Sequence, residues 1–211
     1  MKDLSLSGRI AQGLMKIGLA MKTNEWSESA KLQLSPTQAQ ILAALATRGP
    51  LRLSELAALL AVTLATASDA VSSLAKKGLV EKRTSEQDAR ALSIVPTRAG
   101  QKTAKAVAAW PDFLATAVDT LSPDEQVAFH RGLVKMIGTL QERGQIPVAR
   151  MCAHCTYFRP NVHAGSRTPH HCDFIDSAFG DEFIRIDCGD FVAATTSEGW
   201  DAWVGRGSVT Q

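Results

Sequence analysis

The chain has 211 residues, of which 45% are hydrophobic and 21% charged, the proportions of an ordinary globular protein. No apolar run approaches the roughly 18 residues that a membrane span needs, and the amphipathic N-terminus lacks a secretion signal's continuous apolar core, so a cytoplasmic protein is expected. The net charge of +2 is unevenly spread: residues 1–150 carry 19 Lys and Arg against 13 Asp and Glu, residues 151–211 carry 4 against 8, so a body suited to a polyanionic partner precedes an acidic tail.

Leu4 to about Leu32 has a helical period, with Ile10, Leu14, Ile17 and Met21 on one face. Ser35-Pro36 is a helix-start signal, Ser at the N-cap and Pro at the first helical position. That helix passes through Ile41, Leu42 and Leu45 and stops at Gly49-Pro50. Ser54 is expected to cap a short helix through Leu56, Leu59 and Leu60. After a break at Ala61-Val62-Thr63, a second helix runs through Ala70, Val71 and Leu74 to Lys77, with Gly78 as its stop. Two short helices joined by so brief a turn make a helix-turn-helix, a pattern that ordinary helix pairs also produce. Leu79–Arg83 and Ala91–Val95 then read as two strands around a polar tip, Thr84–Arg90, so a hairpin follows the second helix directly.

The segment Thr63-Leu64-Ala65-Thr66-Ala67-Ser68 to Leu74-Ala75-Lys76-Lys77-Gly78-Leu79-Val80, the tip Arg83…Asp88-Ala89-Arg90 and the exit Thr97-Arg98-Ala99-Gly100 together resemble the MarR transcription regulators. The resemblance covers residues 5–145. It departs at the exit, where Pro96 stands in place of the family's usual Leu. It implies an obligate homodimer with interlocked terminal helices, each winged helix entering a palindromic operator on double-stranded DNA, and small aromatic acids as effectors.

Read from the residues, the second helix offers Thr63, Thr66, Ser68, Asp69, Ser72 and Ser73 to DNA, with Lys76, Lys77, Lys82 and Arg83, and also Arg48 and Arg52, as phosphate contacts. It carries no Arg, Asn or Gln for bidentate base reading. Specificity is therefore expected partly from DNA shape, with Arg90 in a narrow minor groove oriented by Asp88, as the resemblance implies.

From Thr97 a long helix passes Ala104, Val107 and Trp110, is interrupted at Pro111 and resumes to Leu121; Ser122-Pro123 starts a last helix that ends at Gly144. These helices hold more apolar residues than one winged helix covers, and a dimer built from the first and last of them would bury the excess, the alternative being a second helical lobe on the same chain.

All four cysteines, Cys152, Cys155, Cys172 and Cys188, fall in residues 151–190. A compact Cys-x2-Cys pair with two remote partners suits a metal centre, with disulfides or free thiols as the alternative. One pair alone departs from the two knuckles usual for four-thiolate zinc, whereas iron–sulfur clusters often take remote cysteines. A 4Fe–4S cluster is favoured narrowly over zinc. Arg150, His154, Arg159, His163, Arg167, His170, His171 and Arg185 are available to soften the thiolate charge, and Tyr157, Phe158, Phe174, Ile175, Phe179, Phe183, Ile184 and Ile186 to exclude water. His154 reads as a neighbour of the site or a solvent-facing group, His170-His171 as a possible replacement ligand.

The expected organisation is mainly α: a winged helix-turn-helix with long dimerisation helices over 1–150, a small irregular metal-binding extension over 151–190, and a flexible tail over 191–211, or one that lays Trp200 and Trp203 on a neighbouring subunit. The expected function is a DNA-binding regulator, not an enzyme, tuned by the cluster through redox, oxygen or iron. The alternatives are a ligand-responsive repressor with structural zinc and, remotely, an iron–sulfur DNA-processing enzyme. Against the last, the body shows no Gly-rich phosphate loop, no paired metal-binding acids and no nucleophile–base pattern.

Overall fold

The computed structural model describes residues 4–84, 92–108 and 112–205. The chain divides into two compact units between Ala117 and Val118.

The first unit is a winged helix. α1 (Leu6–Lys31) starts at Ser5, whose side chain accepts the Gly8 N–H. α2 (Pro36–Arg48) has the expected Ser35 cap, reinforced by Gln38, whose side chain returns a bond to the Ser35 N–H. β1 (Leu51–Arg52) is a two-residue strand that the sequence does not announce; it pairs with Ile94 and Ser93. That pairing holds Arg52 extended as the N-cap in place of Ser54, so α3 (Leu53–Leu59) starts two residues earlier than expected. The turn holds Ala61 at φ 51, a left-handed conformation uncommon for alanine. α4 (Leu64–Lys76) then begins at Thr63, whose hydroxyl accepts the Thr66 N–H.

Gly78 at φ 68 ends α4: its own N–H returns to the Ala75 carbonyl and that of Leu79 to Leu74. β2 (Val80–Thr84) and β3 (Leu92–Pro96) form the antiparallel hairpin, each about one residue beyond its expected bounds, in a sheet of order β1-β3-β2. α5 (Arg98–Ala108) and α6 (Asp112–Val118) complete the unit. The expected interruption at Trp110-Pro111 lies outside the described residues.

Ile41, Leu42, Leu45, Leu56, Val71, Leu74 and Ile94 form the core of this unit. The Thr97–Gly100 exit is a physical joint. The Thr97 hydroxyl donates to the Gly78 carbonyl and accepts the Gly100 N–H, while a Cβ on Gly100 would stand 1.9 Å from the Leu79 carbonyl oxygen. By contrast, α1 buries only Ser29, and Leu6, Met15, Leu19 and Trp26 are each more than half exposed.

The second unit is organised on α7 (Pro123–Glu142), which carries the expected Ser122-Pro123 start and a capping box with Glu125. The cysteine segment folds against this helix, so the last long helix belongs with the residues after 150. A small antiparallel sheet joins β4 (Phe158–Arg159), β5 (His170–Cys172) and β6 (Ser177–Phe179) in chain order.

The tail was expected to be flexible over 191–211, yet α8 (Glu198–Val204) closes the core of this unit. Trp200 and Trp203 are 2% exposed and pack with Val134, Met151, Phe158 and Ile184. The reason is apolar area: two indoles gain more by burial than a Gly-rich tail loses by ordering. No single helix among the described residues is long and apolar enough to cross a membrane.

Candidate functional site

On the first unit, α4 presents one polar edge outside the core. Thr63, Thr66, Asp69 and Lys76 are exposed, and Ser68 and Ser72 half-buried, while Ala67, Ala70, Val71 and Leu74 point inward. Ser73 and Lys77 are committed to structure. Gln38 Nε2 donates to the Ser73 hydroxyl at 2.9 Å, and Lys77 Nζ donates to Gln38 Oε1 at 2.9 Å and to the Gln33 carbonyl. Gln38, 8% exposed, thus pins the C-terminal half of α4 to the start of α2. The sequence reading passed over it, although Ser35-x-x-Gln38 is a legible capping box. Lys82 and Arg83 are exposed on β2, with Arg83 paired to Glu81. Arg48 and Arg52 each have partners within the chain. Asp88 and Arg90 lie outside the described residues. A cavity of about 350 Å³ belongs to the second unit, described next, and a smaller one of about 280 Å³ lies in the first, with Met21, Glu25, Gln40, Val107 and Phe113 among its walls.

In the second unit, main-chain hydrogen bonds bring together cysteines that are far apart in sequence. Cys152 opens a 3₁₀ turn, Cys152–His154, and the Cys155 N–H donates back to the Cys152 carbonyl. The Cys152 N–H donates to the Arg185 carbonyl and the Cys188 N–H to the Arg150 carbonyl, both at 3.0 Å, which lays 185–188 along 150–152. Cys172 arrives on β5 opposite Phe158, and the next residue donates its N–H to the Tyr157 carbonyl. All four thiols are unpaired and half-buried, and all four line the same 350 Å³ cavity. Its apolar wall contains Tyr157, Phe158, Phe174, Ile175, Phe179 and Phe183; Ile184 and Ile186 pack in the core instead.

Among the described residues, no three His, Cys, Asp or Glu side chains converge closely enough to hold a single metal ion. Burial pushes the Cys152 thiol above its ordinary range; the Arg185 N–H, 3.3 Å from its sulfur, offsets part of this, and the other three thiols add to the rise.

Of the basic groups expected near the thiols, Arg185 is the one that reaches sulfur, through that N–H and through Nη1 on Cys188 at 3.8 Å. Arg150 pairs with Asp187 and Arg159 with Asp173, each at 2.6 Å. His154 is neither at sulfur nor solvent-facing. It stacks on Trp200 with ring centroids 4.5 Å apart, its nitrogens buried without a hydrogen-bond partner, and burial lowers its pKa against the opposing effect of Glu142.

His170 does not serve as a spare ligand either. Its Nδ1 accepts the Asn161 N–H at 3.2 Å, so Nε2 carries the proton and donates to Asp181 at 3.0 Å. His171, on the other face of β5, meets His163 and Asp176.

Residues 32–91 match the MarR family model. The fold is similar to that of a MarR protein from Peptoclostridium difficile, at TM-score 0.58 and 21% identity over 68% of this chain and 94% of that one. A MarR family transcriptional regulator from Listeria monocytogenes, complexed with 26mer DNA, gives 0.56 and 21% over 68% and 92%. The MepR–DNA complex from Staphylococcus aureus gives 0.54 and 23% over 65% and 99%. At these identities the likeness establishes the fold, a winged helix of MarR type. No curated protein matches the chain. The cysteine segment lies outside the residues that the family model matches.

Proposed function

We propose that this protein is a homodimeric DNA-binding transcription regulator of the MarR kind, whose operator binding is modulated by a 4Fe–4S cluster held on Cys152, Cys155, Cys172 and Cys188. The DNA-binding part rests on the exposed polar edge of α4, capped at Thr63 and followed directly by the β2–β3 hairpin. That is the geometry in which a recognition helix enters the major groove while a wing reaches beside it. Two of the structures of similar fold contain DNA. The dimer is supported by α1, whose apolar residues stand in solvent in a single chain and need a cover. The 280 Å³ cavity of the first unit is the candidate place for a small-molecule effector.

The cluster is favoured over zinc by one observation. The four thiols, one compact pair and two remote partners, line one cavity walled mainly by aromatic and aliphatic side chains. Four-thiolate zinc usually takes two such pairs. A cluster often takes remote cysteines and would be preserved by an apolar wall. When bound, it would supply a redox-sensitive cross-link. The chain's own residues supply the Arg185 N–H to a cluster thiolate and the aromatic wall that excludes water.

The test is anaerobic purification with iron and sulfide analysis, followed by anisotropy titrations of operator DNA with loaded and stripped protein. Four irons per chain and at least a tenfold affinity difference are expected. One zinc per chain overturns the cluster, and equal affinities overturn the modulation. Absence of sequence-specific DNA binding in both forms overturns the regulator.

A further inference from the structure

Beyond the thiol cavity, the second unit carries a pair of histidines that neither DNA binding nor the cluster uses. His163 Nε2 and His171 Nδ1 face each other at 3.3 Å, their rings edge to face. The far nitrogen of His171, Nε2, lies 3.1 Å from Asp176 Oδ1. Both rings are positioned by the backbone. His171 is held in the middle of β5, in register with Arg159 on one side and Ala178 on the other. The His163 N–H donates to the Pro169 carbonyl, and its own carbonyl accepts the Ser166 N–H, which ties its loop to the strand.

We propose that His163 and His171 form a second metal site, separate from the four cysteines, that takes a divalent transition cation of the zinc class. Two imidazoles bound to one tetrahedral ion at about 2.0–2.1 Å each hold their nitrogens roughly 3.3 Å apart, the observed spacing, and a turn of the exposed His163 ring aims both lone pairs at the ion. Asp176 selects the useful tautomer. A carboxylate accepts, so His171 Nε2 is the protonated nitrogen and Nδ1 keeps its lone pair for the ion. His163 Nε2 donates to that lone pair in the metal-free chain, and on binding its proton moves to Nδ1 of the same ring. No net proton is released at this site. His163 is exposed, so water or a donor from another molecule completes the coordination and the ion exchanges readily.

The site is independent of the cluster reading, and the experiment keeps the two apart. Zinc is titrated into the full-length protein with its cysteine site already loaded, and the imidazole nitrogens are followed by ¹⁵N NMR. His163 Nε2 and His171 Nδ1 should shift together and saturate at one added zinc per chain, with His170 unmoved. His163→Ala should abolish the His171 response. Asp176→Asn keeps an acceptor and a residue tolerant of the left-handed φ of 48, and should weaken zinc affinity about tenfold. Zinc that moves neither ring, or a His171 response that survives in His163→Ala, overturns the proposal, whatever the cysteines hold.

Discussion

Asp181 gathers three elements of the second unit on one carboxylate. Oδ1 accepts from His170 Nε2 on β5 and from Trp203 Nε1 on α8, and Oδ2 lies 3.4 Å from Arg131 Nη1 on α7. Partial burial alone would raise its pKa, but the bonds from His170 and Trp203 and the nearby Arg131 outweigh it and leave the carboxyl below its ordinary value. A carboxylate depressed in the folded state adds stability above its unfolded pKa of about 4, and that stability is lost as pH falls through the folded value. The second unit should therefore loosen below about pH 4, seen as a change in tryptophan fluorescence. Asp181→Asn should be less stable at neutral pH and show a flatter acid transition. A second residue-scale test concerns Gly100, where any Cβ strikes the Leu79 carbonyl. Gly100→Ala should cost about 3 kcal/mol in the first unit, measurable by denaturant titration.

At the scale of elements, α4 is held at both ends by different means. Its N-terminus depends on the Thr63 cap and its C-terminal half on Gln38. Gln38→Ala would leave Ser73 without its partner and Lys77 with only the Gln33 carbonyl, at a cost of about 1–3 kcal/mol in melting experiments. Operator affinity should fall with it, because the helix that carries Thr66 and Asp69 loses its brace. Helix starts were legible wherever a side chain both caps and punctuates, as at Ser35-Pro36, Thr63 and Ser122-Pro123. β1 was not: two residues after a proline carry no alternation, and the strand exists because Ile94 and Ser93 present free backbone groups to it. The misplaced cap at Ser54 follows from the same unseen pairing. The four thiols were legible as a set by residue type, but their meeting place depends on bonds between 150–152 and 185–188, for which no local pattern exists.

For the whole molecule, the division between Ala117 and Val118 puts the α4 edge and the thiol cavity in separate units. Truncation after Ser197 removes Trp200 and Trp203 and opens the second core. Such a chain should lose protease resistance beyond residue 118 while its first-unit core remains protected, as limited proteolysis with mass mapping would show. Gly138 sharpens the point, since an added Cβ would lie 2.3 Å from the Trp200 ring. The burial of the two indoles within their own unit was not legible, because an isolated Trp-x-x-Trp in a polar tail shows no period and only the packing on α7, with a glycine facing Trp200, makes room.

The lacing of Cys188 back onto Arg150 and Cys152 also has a meaning in polymer terms. A group bound across Cys152 and Cys188 closes the whole intervening loop, and a covalent tie of that length removes unfolded-chain entropy worth about 4 kcal/mol. The fourth thiol is the last of the set to leave the ribosome, so this tie forms only after the winged helix that precedes it has been made.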